Sequence, residues 1–355
     1  MALTTDVLVI GAGIIGCGIA YELAKAGVRV VVAERGEIGR ESSWAGAGVC
    51  IAQRPDSDPL SPLRRISQQL YPQWVAELQK QTGIDAEWRQ CGRLMLLDDE
   101  SEWQRWRTVV ERLREQGVTV SLLSADEVRR CEPAVTPETI GAVLWHEDAQ
   151  VRNPRLVRAL AVAAMQRGVV FLTHSPVIRL QPAENHVEAM AGAEQVSAGA
   201  AVIAAGCWSG EIGALLGLDV PVMPARGQMV LLDTFAAPLR SIVEWGGFYC
   251  VPRSDGRVLV GATVEFVGYD KRTTAAGVTA LLTAAQRAVP ALRQATFVTA
   301  WAGLRPYAER PLLGRLTETV FVATGHFRVG IQMAPGTAVT LRDLILSGHS
   351  PLLRQ

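Results

Sequence analysis

The stretch Asp6-Val-Leu-Val-Ile-Gly-Ala-Gly-Ile-Ile-Gly constrains this chain more than any other, because an apolar run ends directly in a GxGxxG turn. Its spacing predicts a buried strand over residues 6–10, a tight turn over 11–16, a helix over 19–25 and a second strand over 28–33. In that setting each glycine has a reason. Gly11 permits the turn, Gly13 lets backbone approach a pyrophosphate, and Gly16 allows close helix-to-strand packing. The start of the helix then offers partial positive charge to phosphate. Glu34 closes the second strand, where a carboxylate accepts hydrogen bonds from a ribose hydroxyl and disfavours a phosphate. Dinucleotide binding follows, without a choice between FAD and NAD.

With 355 residues, 49% of them hydrophobic, the chain can bury a large core and suggests two domains, or one with a substantial insertion. Thirty-five basic side chains balance thirty-five acidic ones, so no global field draws it onto nucleic acid or an anionic membrane, and a small-molecule partner is expected. Asp6, Glu22, Lys25 and Arg29 break up the first apolar stretch, which excludes an integral membrane segment there. The start shows no basic leader or cleavage-site pattern, so a cytoplasmic location is expected. Six scattered cysteines without a CxxC pair read as reduced, buried thiols. The five histidines form no HExxH or paired-ligand spacing, and no serine sits in GxSxG, so no metal is expected. His174, His186 and His349 read as surface residues and His146 as a domain-junction residue.

Further apolar strands are expected at 200–205, ending at Gly206, and at 320–323, ending before Gly325. They lie far from the first unit in sequence, so a nucleotide domain assembles from discontinuous pieces. Between them, 93–97, 229–232, 248–251 and 257–260 read as antiparallel strands, with helices near 62–79, 101–116, 154–167 and 275–289. The expected class is α/β (α+β overall): a Rossmann-like domain from 1–86, 145–220 and 302–355, with a second, antiparallel-sheet substrate domain from 87–144 and 221–301.

After Glu34, residues 35–49 are poor in large side chains and rich in hydroxyls and backbone donors, as a loop wrapping further phosphate and a flavin edge requires. Four blocks are informative together: GAGIIG with Glu34-Arg35; Ser42-Ser43 leading to Ala47-Gly48; Tyr249-Cys-Val-Pro-Arg-Ser-Asp-Gly-Arg with Gly261-Ala-Thr; and Trp301-Ala-Gly-Leu-Arg-Pro followed by Gly325-His-Phe-Arg-Val-Gly-Ile. On these blocks the sequence resembles the D-amino acid oxidase superfamily of flavoproteins, and within it most closely the glycine oxidases linked to thiamin biosynthesis. The resemblance implies an FAD-binding Rossmann-like domain. It implies FAD contacts at Ile14 and Ile15, at Glu34 and Arg35 beside the adenosine, and at Ser42, Ser43, Ala47, Gly48 and Val49 around the phosphates and flavin. It also implies that Val177 offers backbone to the adenine, and that His326, Phe327, Arg328, Val329, Gly330, Ile331 and Gln332 run past the isoalloxazine. Gly206 and Gly325, at the strand ends, complete the expected cofactor set. A helix start near 326–332 would place positive charge beside the flavin. The chain departs from the family pattern at Val329, at Gln332-Met333, at Trp44 and along 245–248.

A zwitterionic amino acid must be held by its carboxylate, and the planar fork of an arginine fixes both oxygens. Arg305 is the first candidate, Tyr249 a hydroxyl donor to the same group, and Arg328 a second arginine. The expected reaction is FAD-dependent oxidative deamination of glycine, sarcosine or a D-amino acid. Hydride transfer gives an imine, then oxo acid and ammonia, with hydrogen peroxide where oxygen is the acceptor. No side-chain acid or base is obligatory, because the flavin supplies the electron sink. Alternatives are an FAD-dependent dehydrogenase of D-amino acids or proline with another electron acceptor, and the flavin subunit of a multi-subunit amine-oxidising complex. A homo-oligomer or partner subunit stays open. An NAD-dependent hydroxy acid dehydrogenase would leave the last two blocks unexplained.

Overall fold

The computed structural model describes residues 2–51, 61–235 and 239–351. Five parallel strands lie side by side in the order Val320–His326, Glu194–Ile203, Leu3–Ile10, Val30–Ala33 and Val170–Leu172. Within Leu3–Ile10, Val7 and Val9 pack into one buried cluster while Leu8 and Ile10 pack into another. Helices Ile14–Lys25, Asn153–Met165 and Gly330–Ser347 cover the first face, and the hairpin Val177–Pro182/Val187–Ala191 covers the second. Burial on both faces explains why these strands read as unbroken apolar runs.

The opening unit differs in detail from its sequence reading. The first helix begins at Ile14, one turn early, because the Ile14 N–H is already capped by Ser43 Oγ at 2.9 Å. The second strand begins at Val30, since Asp6 holds the Arg29 N–H at 2.9 Å just before it. Strand Glu194–Ile203 stops before Gly206, which takes φ +56° and opens a short 3-10 turn, Gly206–Trp208. At the other end, Val320–His326 continues through Gly325 instead of stopping before it.

The second half of the same sheet runs Val120–Ser124, Gly141–Trp145, Arg93–Leu97, Ile242–Trp245, Phe248–Pro252, Arg257–Gly261, Met223–Asp233. These strands pair antiparallel except Ile242–Trp245 with Arg93–Leu97, which is parallel. A 20-residue strand, Thr296–Arg315, joins the halves by pairing with Met223–Asp233 on one side and Val320–His326 on the other. The boundary expected at 301/302 therefore falls inside one strand. Pro311 sits where its pairing with Val320–His326 loses register, a place where a missing N–H costs no ladder bond. Among the described residues, no helix is long and apolar enough to cross a membrane.

Helix Gly330–Ser347 needs outside help in its first turns. Pro335 has no N–H to give the Ile331 carbonyl four residues back. The Tyr71 hydroxyl donates to that carbonyl instead, while Ser67 Oγ accepts from Gly336 N–H at 3.1 Å and donates to the Met333 carbonyl at 3.3 Å. Tyr71 is fully buried and stacks on Trp88 at 4.6 Å, so its hydroxyl is held in place. Tyr71→Phe should therefore cost about 1–3 kcal/mol by orphaning a buried carbonyl. Urea denaturation checks this, and a midpoint equal to that of the unaltered chain would contradict it.

Candidate active site

The GxGxxG turn is built by steric necessity. Gly11 has φ +105°, and a Cβ there would lie 2.6 Å from the Ala204 carbonyl oxygen. A Cβ on Gly16 would strike the Gly11 carbonyl, so Gly16 serves the packing of helix on strand, behind the site. The Glu34 carboxylate accepts from the Ala12 N–H at 2.8 Å and the Gly36 N–H at 2.9 Å, fixing the turn to the end of the second strand.

In front of this turn opens a cavity of about 580 Å³. It is lined by Gly11, Gly13, Ile14, Ile15, Glu34, Arg35, Ser42, Ser43, Ala47, Gly48, Val49, Val177 and Gly206, by the 326–332 segment, and by Tyr249 and Arg305. Every site residue expected from sequence thus meets in one space except Gly16 and Gly325. Gly325 takes φ +76° and lies against Ala308, where it turns the chain toward His326. Two helices begin at the cavity wall, one at Ile14 and one at Gly330, so their positive ends face the same volume. This suits an anionic ligand of dinucleotide size.

The 42–49 segment, which opens with the short helix Ser42–Ala45 where sequence suggested only a loop, is stitched down by both of the later sequence blocks. Trp301 Nε1 donates to the Ala45 carbonyl at 3.1 Å, Arg253 Nη2 to the Ala47 carbonyl at 2.8 Å, and Ser42 Oγ to the Leu304 carbonyl. A Cβ at Gly303 would collide with the Ala45 side chain, and one at Gly48 with the Val151 carbonyl. Arg253 is buried among carbonyls, and burial pushes its pKa down to about 10. Asn153, which sequence reasoning did not single out, donates to the Ser43 and Trp44 carbonyls. Arg35 lies 3.4 Å over the Trp208 ring and pairs with Glu41 at 3.3 Å, at the end of the cavity expected for adenosine.

At the opposite end, Arg305 and Tyr249 start three strands apart and meet because glycines lie between them. A Cβ at Gly227 would collide with the Arg305 guanidinium, and one at Gly261 would crowd Tyr249 and Met229. Tyr249 lies against Gly261 and the Arg305 guanidinium against Gly227, both lining the cavity, and Arg305 donates to the Thr263 carbonyl at 3.0 Å. Burial pushes the Arg305 pKa down; Tyr249 opposes that shift, and the neighbouring Arg328 charge adds to it. Burial likewise raises the Tyr249 pKa, against the pull of both arginines. Arg328 itself is exposed on the cavity wall. Two guanidinium groups meeting at a neutral phenol favour an anionic guest, and a carboxylate fits their donor geometry.

Other expectations find definite places. Gln332 does not present its amide to the cavity alone, because Nε2 donates to the Ile51 carbonyl. His326 is buried, with Nε2 facing Thr337 Oγ1 at 3.1 Å. His146 lies at the β-turn after Gly141–Trp145 and faces Ser121 Oγ at 2.8 Å, away from the cavity. All six cysteines are free thiols, four of them buried as expected, while Cys91 is half-buried and Cys131 exposed; burial raises the pKa of Cys250, beside Tyr249, to about 12. Lining residues absent from the sequence reading include Arg93, Trp208, Gly227, Met229, Ile242 and Glu244. For all but Trp208, which lies in the 3-10 turn, the one signal was period-2 alternation in the strands that carry them, and that says which face is shared, not what it faces.

The model of the FAD dependent oxidoreductase family matches residues 6–344. The chain is 36% identical over 360 residues to glycine oxidase of Pseudomonas putida, covering 99% of this chain and 97% of that protein. Among solved structures, glycine oxidase from Geobacillus kaustophilus superimposes with a TM-score of 0.93 at 35% identity, covering 97% of this chain and 95% of that one. L-proline dehydrogenase from P. horikoshii superimposes with a TM-score of 0.89 at 25% identity, covering 99% and 96%.

Glu34→Ala should weaken FAD retention by about tenfold or more, since a charged acceptor is lost and the turn it braces is loosened. Flavin fluorescence on dilution measures this, and an unchanged dissociation constant would remove Glu34 from the site. His326 supplies a pH signature. Its folded pKa, pushed by burial to about 4 from the ordinary imidazole value of 6.5, means the unfolded chain binds more protons between those values. Stability is then complete above about pH 6.5 and falls as pH drops toward 4, by on the order of 3 kcal/mol. His326→Gln should flatten that slope, and an equal slope in chemical denaturation across this window would contradict the assignment.

Proposed function

Because the chain belongs to the family of FAD-dependent oxidoreductases, we propose that it oxidises a small amino acid, of the class of glycine, sarcosine or a D-amino acid, at the carbon bearing the amine. The observation that carries this reading is the Arg305–Tyr249–Arg328 cluster, an anion grip that opens into the same cavity as the dinucleotide turn. In this reading the FAD-holding unit comprises 1–86, 145–220 and 302–355, and the substrate face comes from 87–144 and 221–301.

FAD, when bound, supplies the acceptor for the hydride that leaves the substrate's α-carbon. The protein's part is to hold and orient. Gly11, Gly13 and the N–H groups at the start of helix Ile14–Lys25 would take the pyrophosphate, Glu34 the ribose, and the start of helix Gly330–Ser347 the electron-rich edge of the ring system. Arg305 and the Tyr249 hydroxyl would grip the substrate carboxylate, with Arg328 at the mouth adding charge. The substrate ammonium gives one proton to water before the hydride leaves, so no side-chain base is required: His326 is buried and stays neutral near pH 7, and the Cys250 thiol stays protonated. Water then hydrolyses the released imine to oxo acid and the amine it carried, ammonia from a primary amino acid and methylamine from sarcosine.

The test is an anaerobic panel of glycine, sarcosine, D-alanine and D-proline added to the FAD-loaded chain, followed by bleaching of the flavin bands. Bleaching by at least one of them is expected, and none by any of them would overturn the reading. Oxygen uptake after re-aeration then separates an oxidase from a dehydrogenase. Arg305→Ala should raise the half-saturating amino acid concentration by about a hundredfold with FAD content unchanged. Equal half-saturation would remove Arg305 from the grip.

A further inference from the structure

The substrate face carries a carboxylate that the Arg305–Tyr249–Arg328 grip leaves unused. Glu244 lies directly opposite Tyr249 in an antiparallel pair, so the two side chains share a face. It stands on the flank of Tyr249 away from the strand of Arg305, lines the cavity and is 28% exposed. Behind it, Arg93 is 3% exposed and donates Nε to Asp148 at 2.7 Å and Nη1 to Glu244. Asp148 is fully buried. Arg93 therefore bridges the two carboxylates, and Glu244 is the cavity-facing member of the trio. Arg93 also lines the cavity, and its Nη2 is buried with no hydrogen-bond partner among the described residues.

We propose that Glu244, held in place by Arg93, receives the amine of the substrate and makes the cavity selective for zwitterions. The inference rests on the amino acid reading above and deepens it. A cavity with two guanidinium groups at one end and only apolar walls elsewhere would accept any small carboxylate equally well. This one adds a fixed negative charge one strand beyond Tyr249, a spacing of about 4.8 Å. An α-amino acid carries its positive pole one carbon from its carboxylate, so both poles are met at once. A carboxylate without an amine meets Glu244 with nothing to offset it. Glu244 thus selects by attraction and repulsion together.

The test uses the FAD-loaded enzyme and reads flavin absorbance as well as turnover. Glycine, or whichever amino acid bleaches the flavin fastest, is compared with acetate, which has the carboxylate and no amine. Glu244→Gln should weaken the amino acid about tenfold while acetate binds as well as before or tighter. Glu244→Asp, which keeps the charge on a shorter arm, should recover part of the loss. If amino acid and acetate shift by the same factor, or neither shifts, Glu244 is only structural and the proposal falls. Should Glu244→Gln not fold, the unaltered enzyme carries the test. Methylammonium should then bind beside acetate and each should tighten the other, and no methylammonium binding would overturn the proposal. Failure of the amino acid reading looks different, because no amino acid then bleaches the flavin and acetate leaves its bands unmoved.

Discussion

Two helices whose first turns open into one cavity set the terms for the rest of the molecule. The first turns of the helices that begin at Ile14 and Gly330 concentrate positive potential at two separated points of the same space. Only a ligand with negative or electron-rich groups at both points satisfies them together, as a dinucleotide with a redox-active ring does. Each start is held from elsewhere in the fold. Ser43 caps Ile14, and Tyr71 and Ser67 repair the hydrogen bonding that Pro335 interrupts beyond Gly330. The site therefore depends on contacts between segments far apart in sequence.

The long strand Thr296–Arg315 converts that cofactor cradle into a reaction site. One stretch of it pairs with Val320–His326, which leads into helix Gly330–Ser347, and another pairs with Met223–Asp233, which floors the substrate end. Trp301, Gly303, Leu304 and Arg305 share it, so the residues that pin the 42–49 segment and the arginine proposed to grip a carboxylate stand on one element. Glycines at 227 and 261 leave room for long side chains to lie flat across the sheet. Arg305 and Tyr249 can then meet from strands three apart.

Much of this was legible in the sequence, for reasons that differ by residue. The turn at Gly11 and Gly13 is local, and its steric demand shows in six residues. The parallel strands were visible because burial on both faces leaves continuous apolar runs. The 296–315 segment was visible only as a motif, because its prolines and exposed stretches hide a strand of that length. Arg253 and Trp301 stood in quoted blocks, yet their work, bonding to carbonyls of the 42–49 loop, depends on contacts across more than two hundred residues. Glu244 and Arg93 were not legible. An ion pair between strands remote in sequence leaves no local pattern, and only the sheet order brings it to the substrate face.

The central claim is that one cavity holds both the flavin and a carboxylate gripped by Arg305. A crystal structure of the FAD-loaded chain soaked with acetate tests it most directly. The account predicts FAD along the Gly11 turn and the start of helix Gly330–Ser347, with the acetate oxygens between the Arg305 guanidinium and the Tyr249 hydroxyl. Acetate bound elsewhere, or an isoalloxazine ring lying outside the cavity that Arg305 lines, would contradict it.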